Sequence, residues 1–342
     1  MQKQKILVTG GTGYIGSHTM IDLIESGYDV VCIDNGSNSD ASPLQAIYEL
    51  TGVRVSHYNV DLCDYTSAAK VFEEQQDIKG IIHFAALKSV SESVEKPILY
   101  FKNNVESLIN ILDLALKNGV EAFIFSSSCT VYGDVTLSPV DENTPWQDAA
   151  SPYGRTKQMG EQIITDTLKN TSLKSVLLRY FNPAGAHPSG LLGESPINAA
   201  MNLVPVITET AIGKRTSMTV FGTDYPTRDG SCVRDYIHVV DLAHAHTLAL
   251  QFIFDKKQTE PSSIFNIGIG NGLTVLEVIQ AFEAETGVNL KYILGDRRPG
   301  DVIAIYSDIS KATTQLGWTP RFDVKDIMRT AWVWEQRRSS LQ

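Results

Sequence analysis

KILVTGGTGYIG, residues 5–16, decides the fold. Lys5 to Gly10 is a nearly continuous apolar run, the pattern of a strand buried on both faces of a parallel sheet. It runs into Gly10, Gly13 and Gly16, spaced G-x-x-G-x-x-G. The first glycine permits a tight turn. The second lets a pyrophosphate approach the backbone, and the third lets the next helix pack closely on the strand. That helix puts Ile15, Thr19, Leu23 and Ile24 on one stripe, and Gly27 closes it. Its N-terminus offers unpaired N–H groups and partial positive charge to phosphates. Glycines also serve turns alone, but their place between a buried strand and an amphipathic helix points to a dinucleotide.

The alternation continues outward from this stretch. DVVCIDN, VRVSHYNVDL, GIIHFAA, AFIFSSS and KSVLLRYFN read as further strands. Helical patterns near 66–76 and 97–118 lie between them, and Gly119 stops the second. This rhythm predicts an α/β fold, a doubly wound parallel sheet. After Asn182 the rhythm breaks, and residues 183–230 are rich in Pro, Gly, Asn and Ser, with one helix near 199–213. DYIHVVDLAHAHTLALQFIF then reads as a strand and a helix, and SIFNIG as a strand. LTVLEVIQAFEAETG reads as an amphipathic helix ended by Gly287. The expected division is a dinucleotide-binding domain over residues 1–182, with a returning segment near 236–265. A smaller C-terminal α/β substrate domain would cover 183–342. The length of 342 residues suits two domains of ~150 residues each.

Composition narrows the function. A hydrophobic content of 43% supports a sizeable core and excludes a disordered or fibrous chain. The net charge of -10 disfavours nucleic-acid binding, so any anionic ligand needs a local cationic pocket. No apolar run approaches the ~18 residues of a membrane helix. The N-terminus lacks the longer apolar core of a signal peptide, so a cytoplasmic protein without a membrane partner is expected. Cys32, Cys63, Cys129 and Cys232 form no C-x-x-C pair and no zinc spacing. Ordinary reduced thiols are expected, and no metal.

Asp34 ends the second strand, 24 residues after Gly10. An acid there can accept both ribose hydroxyls of NAD and repel the 2′-phosphate of NADP. No Lys or Arg follows in NGSNSDASP. A turn-forming Asp-Asn pair is the plainer alternative; beside the glycines, NAD is the expected cofactor. Asp61 and Leu62 after the third strand can meet the adenine, or serve only as loop residues.

Ser128 lies just past the fifth strand in FSSSCTVYG, and Tyr153 and Lys157 lie in SPYGRTK. Ser151 can cap a helix and Pro152 suits its first turn. Tyr153 and Lys157 then share one helical face. A phenol near pKa 10 is a weak base at neutral pH, and an adjacent ammonium stabilises the phenolate. Serine can bond the same substrate oxygen. Together these groups can remove a proton from an alcohol while NAD accepts hydride. A surface Y-x-x-x-K pair would mean nothing, but this one follows a serine in a chain opening with a dinucleotide turn. His83 reads as a core residue, and His244 and His246 are too poorly spaced to share a metal.

GGTGYIGSH, IHFAALKSVSESVEKP, FSSSCTVYG, SPYGRTK, LLRYFNPAGAHPSG, FGTDYPTRDG and VRDYIHVVDLA follow in order over nearly the whole chain. The sequence resembles the UDP-glucose 4-epimerases (UDP-galactose 4-epimerases) of the extended short-chain dehydrogenase/reductase family. The glycine turn and Y-x-x-x-K mark only the superfamily; RYFNP-x-GAHPSG and VRDYIHV-x-DLA are more specific. The resemblance implies a Rossmann fold and a role in galactose metabolism. UDP-galactose and UDP-glucose would interconvert at C4 by transient oxidation to a 4-keto sugar, with tightly bound NAD. Tyr153 would be the base, Ser128 would bond the reacting oxygen, and Lys157 would hold the nicotinamide ribose and lower the Tyr153 pKa. The 4-keto sugar would turn about its link to the UDP before reduction on its opposite face.

The same resemblance implies further contacts. The NAD site would take Gly10, Gly13, Tyr14, Ile15, Gly16, Asp34, Asn35, Asn38, Ser39, Asp61, Leu62, Phe84, Ala85, Ala86, Lys88, Asn103, Ser126 and Tyr180, with Tyr153 and Lys157. The UDP-sugar site would take Lys88, Ser128, Tyr153, Phe181, Asn182, Asn202 and Leu203. Phe221 would cover the uracil, Arg234 and Arg298 would meet the phosphates, and Asp301 a ribose hydroxyl. Arg297 reads as a solvated loop charge.

Three departures stand out. PINAAMNL replaces PQGIPNNL, so Asn198 cannot take the first asparagine's role. RRPGD replaces RREGD, which stiffens that turn. Ile305 occupies the position that limits the sugar pocket, intermediate between an excluding tyrosine and a small residue. Plain UDP-glucose and UDP-galactose are the expected main substrates, with UDP-N-acetylglucosamine and UDP-N-acetylgalactosamine left open. A homodimer through helices near 98–118 and 155–169 is implied as well. Rival readings are a 4,6-dehydratase, a UDP-glucuronate epimerase or decarboxylase, and a non-catalytic NAD-sensing protein. The dehydratase lacks its acid pair here, because Ser128-Cys129-Thr130 occupy that stretch.

Overall fold

A computed structural model describes residues 3–135, 137–197, 199–298 and 302–340. Six parallel strands come first: β1 (Lys5–Thr9), β2 (Asp29–Ile33), β3 (Ser56–Tyr58), β4 (Ile78–His83), β5 (Ala122–Ser126) and β6 (Lys174–Tyr180). Short strands β7 (Asn182–Ala184), β8 (Met218–Phe221), β9 (Val233–Arg234) and β10 (Tyr236–His238) follow. β11 (Ser262–Ile267) then returns to the main sheet, and β12 (Leu273–Thr274), β13 (Tyr292–Gly295) and β14 (Ala304–Ile305) complete the strands. The helices are α1 (Tyr14–Glu25), α2 (Ser42–Thr51), α3 (Tyr65–Glu74), α4 (Val90–Glu95), α5 (Pro97–Lys117), α6 (Pro152–Leu168), α7 (Leu203–Ala211), α8 (Val239–Phe254), α9 (Val275–Thr286) and α10 (Val324–Ser340).

The main sheet has seven strands in the order β11-β6-β5-β4-β1-β2-β3, so the winding reverses between β1 and β4. A crevice at such a reversal is where doubly wound sheets take their ligands. The apolar run in β1 explains the two-sided burial. Ile6 and Val8 face Met20, Leu23, Leu242 and Leu250 of α1 and α8. Leu7 faces the opposite layer, with Val71, Leu108 and Ile164 of α3, α5 and α6. The remainder of the chain forms only small sheets, β7–β10, β12–β9–β14 and β8–β13. Its core is a third cluster, where α7, α9 and α10 bring together Ile207, Val278, Phe282, Ile327 and Met328.

The expected doubly wound parallel sheet is therefore present, with differences in detail. VRVSHYNVDL supplies a strand only over Ser56–Tyr58, because β3 is an edge strand paired with β2 alone. α2 and α4 were not anticipated. Pro43 opens α2 and Gly52, in the left-handed region at φ 70°, closes it. The helix expected near 199–213 begins at Leu203, with Asn202 as its N-terminal flank.

Candidate active site

The C-terminal ends of β1, β2, β4, β5 and β6 carry most of the candidate residues to one edge of the sheet. Gly10 sits at φ 69°, where an L side chain is strained. A Cβ there would lie 2.8 Å from the Ala85 nitrogen, and one on Gly16 would lie 2.3 Å from the Gly10 carbonyl oxygen. A substituent on Gly13 would lie 3.2 Å from that same oxygen. The turn is thus closed to side chains beneath and bare above, a cradle that fits a dinucleotide pyrophosphate. Tyr14 and Ile15 begin α1, and the Tyr14 hydroxyl donates to the Gly185 carbonyl at 2.6 Å.

Asp34 is buried at the end of β2. Its carboxylate accepts from the Thr12 amide at 3.1 Å, the Gly36 amide at 2.9 Å and the Ser39 hydroxyl at 3.2 Å. It therefore ties the second loop to the glycine turn, the turn-forming use. Asn35 caps its own turn through the Ser37 amide, and both Asn35 and Asn38 are exposed. Asp61 is exposed and accepts from the Cys63 amide, while Leu62 is buried in the core. Phe84, Ala85 and Ala86 are half-buried just past β4. Asn103 bonds Asn104 at 2.9 Å, and Asn104 in turn holds Leu87 and Thr156. Asn104, missed from sequence, fixes the Lys88 loop against α6.

α6 forms as its sequence requires: Ser151 accepts from the Gly154 amide at 3.1 Å and Pro152 occupies the first turn. This places Tyr153 and Lys157 on the buried face. Burial drives the Tyr153 phenol above its ordinary pKa; the neighbouring Tyr180 adds to this, and a Ser128 hydrogen bond opposes it. Burial also lowers Lys157 to about 8, with Glu161 pulling the other way. The Lys157 ammonium donates to the Ser126 carbonyl at 2.7 Å and lies 5.8 Å from the Tyr153 ring centroid. Burial thus acts on the phenol in the direction opposite to the one expected of Lys157. Tyr180 shares a 2.6 Å hydroxyl contact with Ser126. His83 is buried with its Nδ1 2.9 Å from Thr9 Oγ1, and burial lowers it to about 3.

Phe181, Cys129 and Ile305 pack together with Val131, Tyr132 and Val140 beside Ser128. Arg234 pairs in register with Ile305, and its charge opposes the rise that burial imposes on Cys129, which sits at about 12. The Asn182 amide donates to the Asp235 carbonyl. Asn202 is exposed and donates to Glu194 at 3.0 Å, and Leu203 packs on the third cluster. Lys88 lies 3.7 Å from the same Glu194 carboxylate, another residue absent from the sequence reading. Arg298 stacks over the half-exposed Phe221, 4.9 Å from its centroid. Arg297 is not a free loop charge: it bonds Asp224 at 2.7 Å and stacks on Tyr225. Asp301 and Asn198 lie outside the described residues. Cys32, Cys63, Cys129 and Cys232 are all free thiols. No group of His, Cys, Asp and Glu among the described residues could hold a metal.

A family model described as GDP-mannose 4,6 dehydratase matches residues 7–331. The UDP-glucose 4-epimerase of Pasteurella multocida is 46% identical over 334 residues, 97% of each chain. The chain belongs to the UDP-glucose 4-epimerase family. Solved epimerases share its fold. That of Stenotrophomonas maltophila, with bound NAD and formylated UDP-arabinopyranose, matches at a TM-score of 0.95 and 43% identity. The match covers 99% of this chain and 100% of that one. The epimerase of Bifidobacterium longum, in complex with NAD+ and UDP, matches at a TM-score of 0.93 and 43% identity, covering 98% and 99%. Membership in the epimerase family sets aside the dehydratase named by the family model, whose acid pair is replaced by Ser128-Cys129-Thr130.

Proposed function

We propose that this chain interconverts UDP-galactose and UDP-glucose by epimerisation at C4, with Tyr153 as the base. One observation carries the reading: Tyr153 and Lys157 share the buried face of α6, and the Lys157 ammonium reaches the Ser126 carbonyl at 2.7 Å, two residues before Ser128, at the sheet edge that bears the glycine turn. NAD is the cofactor, held by Gly10, Gly13 and Gly16 below its pyrophosphate and by Asp34 at its ribose. When bound, it supplies a hydride acceptor and, after the sugar turns, a hydride donor.

The chain's own groups handle the proton and the pose. Tyr153 Oη takes the proton from the sugar 4-hydroxyl and returns it to the 4-keto oxygen after the sugar turns about its link to the UDP. Ser128 bonds that same oxygen, keeping it at the phenol in both poses. Lys157 adds positive charge that favours the phenolate. Arg234 and Arg298 provide the local cationic pocket that a chain of net charge -10 needs for a diphosphate. Phe221 offers its face to the uracil. Residues 1–182 with 236–265 serve NAD on this reading, and 183–342 serve the UDP-sugar.

The test is conversion of UDP-galactose to UDP-glucose by purified protein without added NAD. Conversion is expected; its absence, even with NAD supplied, overturns the reading. Ile305 is buried against Cys129 and Phe181, so plain sugars are the main substrates. Equal turnover of UDP-N-acetylglucosamine would overturn that preference. Gly16→Ala tests the cradle. Its methyl would meet the Gly10 carbonyl oxygen at 2.3 Å, a backbone atom with little room to move. Overpacking of this kind predicts roughly tenfold or greater loss of retained NAD. NAD released on denaturing the purified variant measures it.

The working unit is a homodimer on this reading. Ile98, Leu99 and Ile109 on α5 and Met159 on α6 are apolar and exposed, an arrangement that a second copy would cover. Four free thiols suit a reducing compartment, the cytoplasm. Among the described residues no helix is long and apolar enough to cross a membrane.

A further inference from the structure

Behind the proposed base lies a buried ion pair that the chemistry above does not use. Glu161 and Arg179 are each 2% exposed. Arg179 grips Glu161 bidentately, with Nε 2.9 Å from Oε1 and Nη2 2.7 Å from Oε2. The Ser127 hydroxyl donates to Glu161 Oε1 at 2.5 Å. Ser127 stands between Ser126, whose carbonyl accepts from Lys157, and Ser128. Glu161 is one helical turn beyond Lys157 on the buried face of α6. Arg179 directly precedes Tyr180, whose hydroxyl meets Ser126.

We propose that Glu161 is a positioning residue for this reaction. Its carboxylate holds the Ser126–Ser128 turn through Ser127 and serves as the counter-charge of the Lys157 ammonium. A buried ion pair is weak evidence for stability, since well-packed apolar residues often replace one without loss. Its reach to both Lys157 and the serine turn gives it a second use. The titratable groups around Lys157, Tyr153 and Glu161 are, besides these three on α6, His83 from β4, Tyr180 and Arg179 from β6, Tyr100 from α5, and Cys129 after β5. Burial keeps the phenols, the thiol and His83 neutral near pH 7. Glu161 is the one anion in this set, and it works against the loss of the Lys157 proton.

The inference rests on Tyr153 and Lys157 carrying the reaction, and wild-type conversion of UDP-galactose measured alongside tests that reading separately. Two variants test Glu161 itself. Glu161→Gln removes the anion, and Glu161→Met with Arg179→Met removes both charges without leaving either unpaired. If the proton on Lys157 is needed, activity falls as pH rises through its pKa, and removing a nearby anion moves that fall to lower pH. In Glu161→Gln the alkaline limb of the kcat profile should shift down by about one pH unit or more, with KM for UDP-galactose nearly unchanged. A folded Glu161→Gln variant whose profile superposes on the wild type, or a folded double variant with kcat within about twofold of wild type, overturns the proposal. Should neither variant fold, Ser127→Ala leaves the ion pair whole and reads the same link. A fall of about tenfold in kcat is expected, and a kcat within about twofold of wild type overturns the proposal.

Discussion

Tyr153→Phe should lower kcat for UDP-galactose conversion by about a thousandfold while leaving KM within a fewfold range. The phenyl ring fills the same buried space, so the loss reads the hydroxyl alone. A factor of that size is about 4 kcal/mol of barrier. Burial and Tyr180 push this phenol above its ordinary pKa, so it acts as a base only where positive charge, that of Lys157 and of an oxidised nicotinamide when bound, offsets the burial. Phenylalanine keeps the packing of the ring and changes only the hydroxyl. The variant should therefore melt close to the wild type, which separates chemistry from folding. Initial rates and a thermal melt on one preparation check both halves. An active Tyr153→Phe enzyme would remove the proposed base.

Lys157→Met should abolish conversion to a similar extent yet stabilise the fold once NAD has been removed from both proteins. Burial lowers the Lys157 pKa from 10.5 to about 8. The drop corresponds to an upper limit of about 3 kcal/mol against the charged form. Below pH 8 the folded and unfolded chains both hold this proton, and the penalty is present in full. Between 8 and 10.5 the folded chain has released it and the unfolded chain has not, so stability rises with pH across that window. Methionine keeps the stem and drops the charge. It also loses the 2.7 Å bond to the Ser126 carbonyl and the contact with the Phe125 ring, which offset about 1–2 kcal/mol of the gain. The expected net stabilisation is about 1–2 kcal/mol at pH 7, shrinking from pH 8 upward and lost by about pH 10.5. Denaturant titrations at pH 7 and pH 10 measure it. A variant less stable than wild type at pH 7 would show that the bonds of Lys157 outweigh its burial.

These two residues show what was legible in the sequence and why. Tyr153 and Lys157 are four apart, Ser151 and Pro152 mark the helix start, and Ser128 follows an apolar strand. Each signal is local, and Tyr153 and Lys157 do fall on one buried face of α6. The glycine spacing and the apolar run before it were equally local, and they specified the switch-point strand of a parallel sheet. The losses came where the partner is distant. Glu161 could have been noticed one turn after Lys157, but its hold on Ser127 crosses 34 positions and its pairing with Arg179 crosses 18. Arg297 looked like a solvated charge because Asp224 and Tyr225 lie far away in the chain.

The sequence by itself determined the strands of the main sheet and the pairing of Tyr153 and Lys157 on one helix face, because helix spacing, capping and glycine turns act over a few residues. It also determined that a chain of net charge -10 must build a local cationic site for a diphosphate. Tertiary structure alone decided the electrostatics of that pair. Burial raises the Tyr153 phenol, opposite to the lowering expected from the adjacent ammonium, and lowers the Lys157 ammonium, because desolvation depends on all the chain packed around them. It alone decided that β11 lies beside β6 and that Ile305 closes on Cys129 and Phe181. Such contacts join residues that no local pattern relates.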